Sequence, residues 1–399
     1  MLGRFDEEKL AAMVKQLEYK YLAANKLPNL QIAITTPQET IYSHVSGFAD
    51  IATKTPITTD HSYRIYSMTK PITCMALMML VERGLIQLSD PVADYLPELA
   101  SLKVYEGGTL GDFSTRPIKA PLTIHQLLTH TSGLTYGFNQ GNPIEQFYVQ
   151  NELDHVWRNP KEQWLASLAE APLLFEPGSA WNYGLSTDVI GFVVEAVSGE
   201  TLGEFMQREI FQPLGMSHTG FQYTGPTGRM TSCYQYTDED PLKLFDHYDN
   251  SLFSQTPRAH SGGGGLVSTS ADYLKFMRML LNNGRHESFQ IIAPKTLEYM
   301  RLNHLPNGAS IADMSIGSFS EVRYQGTGYG LGFSSLFDVT ASGVVGSEGE
   351  YGWGGMASTN FWIDPEEQFG VLLLTQLIPS STYNIRSDLR SMIYGCYRY

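Results

Sequence analysis

The chain has 399 residues, 42% hydrophobic and 17% charged, with 37 glycines and a formal net charge of −14, a mixture that excludes a disordered or fibrous protein and permits a large core. The acidic balance, with Lys and Arg nowhere clustered, argues against nucleic acid as a partner. Cys74, Cys233 and Cys396 lie far apart and fit neither a disulfide framework nor a zinc spacing, and the ten histidines include no H-E-x-x-H, so buried free thiols, no metal and no cofactor are expected.

Residues 6–25 place Leu10, Met13, Val14, Leu17 and Tyr21 on one stripe, which predicts an amphipathic helix. Two β-prone runs, 30–35 and 40–47, flank Pro37-Gln38-Glu39 and predict a hairpin. No apolar run here or later reaches membrane-spanning length, and no apolar stretch follows the charged first ten residues, so a cytoplasmic protein without a membrane partner is expected.

Ser67-Met68-Thr69-Lys70 comes next, followed at once by Pro71 and an apolar run over 74–81. In a helical segment positions i and i+3 share a face, so an amine stands beside a hydroxyl. A serine is a poor nucleophile until a base takes its proton, and a desolvated lysine can be that base. Ser89-Asp90-Pro91 and Tyr95-Leu96-Pro97 then break the chain, and the stretch to about residue 260 reads as helix and loop without strand alternation. The run Gly262 to Gly265 lacks a following Gly-Lys-Ser/Thr and is a flexible turn rather than a phosphate loop. Helices are expected at 271–282 and 295–302, and strands at 329–337, 343–345, 358–363 and 369–376.

Strands at both ends around a helical middle predict an α/β (α+β) protein: an antiparallel sheet flanked by helices, built from residues 1–90 and 262–399. Residues 91–261 are then an inserted, mostly helical domain, with the active site in the cleft between the two. No serine sits in G-x-S-x-G, which removes the main support for an α/β-hydrolase. Tyr136 and Phe138 follow a sharp corner and are candidates to line a substrate pocket.

Seven motifs recur in order: Ser67 to Pro71; Leu127-Leu128-Thr129-His130-Thr131-Ser132-Gly133-Leu134; Pro177-Gly178 leading to Tyr183; Pro213-Leu214-Gly215-Met216; Gly262 to Thr269; Tyr329-Gly330-Leu331-Gly332-Phe333; and Gly352-Trp353-Gly354-Gly355. Together they resemble the serine β-lactamase and penicillin-binding-protein superfamily, on its class C side, over roughly residues 30 to 380. The resemblance implies a β-lactamase/transpeptidase-like fold in which Ser67 is acylated, Lys70 and Tyr183 transfer protons, and the backbone N–H groups of Ser67 and Met356 form the oxyanion hole. Either Lys70 or Tyr183 can be the principal base. His130 is expected to fix a buried corner by hydrogen bonding.

Two departures from the β-lactamase pattern bear on substrate. The family's Tyr-x-Asn is Tyr183-Gly184-Leu185, and its Lys-Thr-Gly strand is Trp353-Gly354-Gly355. A cationic anchor suits an anionic antibiotic, whereas an aromatic wall suits a neutral ester. Both changes resemble the family VIII carboxylesterases, which implies hydrolysis of small, short-chain esters without a cofactor, with Trp353, Gly354, Gly355 and Leu185 near the substrate. A β-lactamase, a D-amino peptidase, an acyltransferase and a non-catalytic binding protein on the same scaffold are the alternatives.

Overall fold

Asp6 opens the first helix, α1 (Glu7–Leu17), by accepting the Glu8 and Lys9 N–H groups on its carboxylate, with Glu7 and Glu8 complementing the positive end. Its buried stripe is Leu10, Met13, Val14 and Leu17, as the spacing requires. The computed structural model describes residues 4–139, 141–316 and 325–398. After α1 come β1 (Asn29–Thr35), β2 (Thr40–Asp50) and β3 (Thr55–Pro56), then α2 (Lys70–Glu82), α3 (Ser186–Ser198) and α4 (Ser270–Leu281). The remaining principal elements are β4 (Thr327–Tyr329), β5 (Ser334–Leu336), β6 (Tyr351–Gly354), β7 (Asn360–Asp364), β8 (Phe369–Leu374) and α5 (Ile385–Cys396).

The eight strands form one antiparallel sheet in the order β4-β5-β6-β7-β8-β1-β2-β3. Its centre pairs Ile32 with Leu373 and Ala33 with Leu372, which joins the two ends of the chain. Every residue of β1 is buried, so both sheet faces are covered. Leu30, Ile32 and Ile34 pack on one face with α1 and with Ile385, Leu389 and Ile393 of α5. Ala33, Phe361, Ile363 and Leu372 face the other way, toward α4 and α2. Each of the larger aliphatic side chains contributes about 2 kcal/mol through burial.

All residues of α2 from Lys70 to Leu80 are buried, which is what an apolar circumference demands of a helix. It runs through the interior with Pro71 in its first turn, where a missing N–H costs nothing. Among the described residues no helix is long and apolar enough to cross a membrane.

The structure departs from the sequence reading in five places, the first being that the single strand expected at 329–337 is the end of β4, a turn and then β5, which pairs antiparallel with β4. Residues 103–117, expected as loop, form a bulged hairpin, Lys103–Thr109 with Asp112–Pro117; Gly107 and Gly108 dilute its β signal. Cys233–Gln235 pairs in parallel with Leu377–Ile378, so the middle segment also carries strand. The expected strand at 343–345 is a turn after the short helix Val339–Ser342, and the strand lies at Tyr351–Gly354 instead. Helix α5 was not read from the sequence at all.

Candidate active site

Tyr66–Thr69 is a 3-10 turn feeding directly into α2, and in that geometry i and i+3 stack one above the other. Lys70 Nζ consequently lies 3.2 Å from Ser67 Oγ. The same amine donates to the Gly263 carbonyl at 2.7 Å and to Tyr136 Oη at 3.0 Å, and the residue is wholly buried. The glycine run that the sequence marked as a turn thus supplies an acceptor for the lysine.

Tyr66 has a φ of +42°, a left-handed conformation that costs a bulky residue about 1–3 kcal/mol. Its ring is held by Phe253, with centroids 5.6 Å apart. Among the described residues the peptide N–H of Ser67 has no backbone acceptor, and neither has the N–H of Met356. Both residues line one cleft of about 550 Å³, shared with Tyr136, Tyr183, Asp188 and Gly263. Two unspent N–H donors beside a serine hydroxyl can together receive an anionic oxygen.

Tyr183 is buried at 2% exposed, and its phenolic oxygen accepts a hydrogen bond of 3.1 Å from Trp353 Nε1. The Lys70 ammonium lies 4.6 Å from the centre of the Tyr183 ring. Both neighbours favour negative charge on that phenol. Tyr136 is the opposite case: burial, then the neighbouring Tyr183, Asp188 and Asp154, push its hydroxyl well above the ordinary phenol range and keep it neutral.

His130 is buried with its imidazole held well below its ordinary pKa by desolvation and by the Lys70 charge. Neither ring nitrogen has a hydrogen-bond partner among the described residues. The ring packs instead against Tyr183, Tyr329 and Trp181 at 5.0, 5.2 and 6.0 Å, and the corner is hydrogen-bonded through the backbone, where Asn182 N–H donates to the His130 carbonyl. The expected side-chain hydrogen bonding is therefore replaced by packing.

Phe138 lines the cleft, half exposed, with its ring stacked on Tyr136 at 4.8 Å. Four other residues assigned to substrate lie elsewhere. Leu185 is buried at 1% in the core and ends the turn before α3 rather than replacing an amide in the cleft. Trp353 is not a cleft wall: it is 1% exposed and sits behind Tyr183, with ring centres 5.5 Å apart. Gly354 and Gly355 make room for protein rather than substrate, because a Cβ on them would meet the Arg386 guanidinium at 2.6 Å and the Ile65 carbonyl at 2.5 Å.

Asp188 escaped the sequence reading. It lies in the first turn of α3, where an acid is commonplace for its effect on the helix dipole, so its position carried no signal. In the structure its buried carboxylate accepts from Ser261 Oγ at 2.6 Å and Gly263 N–H at 3.0 Å. It therefore fixes the loop whose Gly263 carbonyl holds Lys70. Desolvation raises its carboxyl above the ordinary range, and the Lys70 charge opposes that rise.

A family profile described as Beta-lactamase matches residues 14–389. The chain belongs to the beta-lactamase family. An uncharacterized protein of Mycobacterium tuberculosis is 32% identical over 84% of this chain and 82% of its own length. Esterase EstB of Burkholderia gladioli is 30% identical over 93% of this chain and 91% of its own. Among solved structures, EstCE1, described as a hydrolase with promiscuous acyltransferase activity, has a TM-score of 0.81 at 26% identity, covering 97% of this chain and 99% of that one. The fold is accordingly β-lactamase/transpeptidase-like, and the resemblance to β-lactamase-like esterases read from the motifs is borne out.

Proposed function

We propose that this protein hydrolyses carboxylic esters through an acyl-enzyme on Ser67. The observation that carries the proposal is the Lys70 amine 3.2 Å from Ser67 Oγ in an aromatic-lined cleft. Lys70, as the free amine, takes the Ser67 proton while Oγ attacks the ester carbonyl; the resulting oxyanion receives the Ser67 and Met356 N–H groups. Collapse breaks the bond to the alcohol oxygen, which leaves with a proton delivered through the Tyr183 phenol, itself reprotonated from Lys70. Water then attacks the acyl-enzyme, gives its proton to the same pair, and releases the acid and Ser67. Tyr183 suits this relay better than Tyr136, since the Trp353 N–H and the Lys70 charge stabilise its phenolate.

Among the described residues lining the cleft there is no Lys or Arg, while Asp154 and Asp188 are acidic. That charge pattern supports a neutral ester over a carboxylate-bearing β-lactam. The acyl group is short in this reading, and a cleft of about 550 Å³ leaves space for a larger alcohol portion. The likeness to esterase EstB supports the same substrate class. Hydrolysis of p-nitrophenyl butyrate should fall by at least about a thousandfold in Ser67→Ala. Retained activity, or nitrocefin turned over with the higher kcat/KM, would overturn the proposal.

A second reading uses the same acyl-enzyme with an alcohol in place of water, and the likeness to EstCE1 favours it as a side activity. Ester exchange products on addition of an alcohol acceptor would reveal it; hydrolysis alone at all acceptor concentrations would exclude it.

A further inference from the structure

Arg386, in the first turn of α5, places Nη2 2.7 Å from the carbonyl oxygen of Gly355 and 2.7 Å from that of Thr359. The Gly355 carbonyl belongs to the peptide group whose N–H is that of Met356. A trans peptide is planar with its C=O and N–H pointing in opposite directions, so fixing the oxygen against the guanidinium fixes the hydrogen on the other side. That other side is the cleft, which Met356 lines. The Gly355 oxygen also accepts the Ser358 N–H at 3.1 Å, so it is doubly bonded by donors while its own N–H partner across the peptide is unspent.

We propose that Arg386 is a positioning residue for the oxyanion hole, aiming and polarising the Gly355–Met356 peptide so that the Met356 N–H becomes a stronger donor. A charge-assisted hydrogen bond on a carbonyl draws electron density from the amide nitrogen, and bonds linked through one peptide strengthen each other. The inference rests on the acyl-enzyme reading above. It also accounts for Gly354, whose missing side chain lets the guanidinium lie flat against β6: a Cβ there would stand 2.6 Å from Arg386 Cζ. The Trp353-Gly354-Gly355 motif thereby acquires a purpose in place of contact with substrate.

The test compares wild type with Arg386→Met and Arg386→Lys on p-nitrophenyl butyrate and against a trifluoromethyl ketone, which forms a tetrahedral adduct with the nucleophile. Arg386→Met should lower kcat about tenfold with KM within twofold and raise the ketone Ki by the same factor, because an oxyanion donor acts on the tetrahedral species and not on the bound ester. Arg386→Lys, which keeps the charge but not the planar guanidinium, should fall between the two. A melting temperature lowered with kcat and Ki unchanged would reduce Arg386 to a structural tie and overturn the inference. If Arg386→Met does not fold, an Arg386→Lys protein with wild-type kcat and Ki overturns it equally. Ser67→Ala in the same series separates the two readings: activity surviving there sinks the acyl-enzyme itself, whereas its loss with unmoved Arg386 variants sinks only the role of Arg386.

Discussion

At Lys70, two phenols compete for one amine, and their surroundings decide between them. Tyr136 receives the shorter contact, a 3.0 Å hydrogen bond, yet its neighbours oppose ionisation. Tyr183 has an indole N–H on its oxygen and the amine against its ring. Tyr183→Phe should therefore cut kcat by about 10²–10⁴, the range for loss of an acid–base group, while Tyr136→Phe, which removes one hydrogen bond from Lys70, should cost about tenfold. Steady-state kinetics with a phenyl ester checks the order, and a larger loss at Tyr136 would reverse the assignment. The grouping of Ser67, Lys70 and Tyr183 was legible in the sequence through their motifs, and the structure brings the Lys70 amine to both of the others. Asp188 and the true position of Trp353 were not, since both act through contacts across 75 and 170 positions of chain that no local spacing encodes.

Strand β6 and the Ser67 turn meet so closely that the backbone of one fills the space a side chain would need on the other. A Cβ on Gly355 would stand 2.5 Å from the Ile65 carbonyl oxygen and 2.3 Å from Thr359 Oγ1. Gly355→Ala must push the strand away from the turn, carrying the Met356 N–H with it. A displacement near 1 Å at such a site costs about a hundredfold, so kcat should fall by that order with a smaller change in KM. Wild-type kcat in a folded Gly355→Ala protein would show that the two elements move independently of catalysis. Strands such as β1 and β8 were readable because apolar β-branched and aliphatic runs stand between turn residues. Strand β6 was misplaced by about eight residues, because three of the four residues in Gly352-Trp353-Gly354-Gly355 are glycines, which carry no β signal. Helix α5 carries the same kind of signal as α1, an apolar stripe at Ile385, Leu389 and Ile393.

Across the whole molecule, one consequence of burial concerns acid. Burial lifts the Asp154 carboxyl to about 6, against backbone hydrogen bonds from Gly137 and Phe138 that favour its charged form. The folded state thus holds this proton more tightly than the unfolded chain, so the site favours folding most below about pH 4 and loses that contribution as pH rises through 6. The amount is on the order of 3 kcal/mol. Denaturant titrations of Asp154→Asn and wild type should accordingly show the variant gaining relative to wild type between pH 4 and pH 6, with a constant difference above pH 7. A difference that is flat over the whole range would mean Asp154 titrates normally. The overall architecture, strands from both ends of the chain around a middle segment, was visible in the distribution of β-prone runs; the pairing of Cys233–Gln235 with Leu377–Ile378 was not, because a three-residue strand leaves no periodicity to detect.

The pairing of β1 with β8 joins residues some 340 positions apart, and Phe5 bridges to Tyr397. A ribosome making this chain releases Ser67 and Lys70 early, but the turn bearing Met356 and the arginine behind it emerge only near the end. Ser67 and Lys70 are thus translated long before the Met356 peptide that faces them exists, and the cleft stays incomplete until the last tenth of the chain has been made.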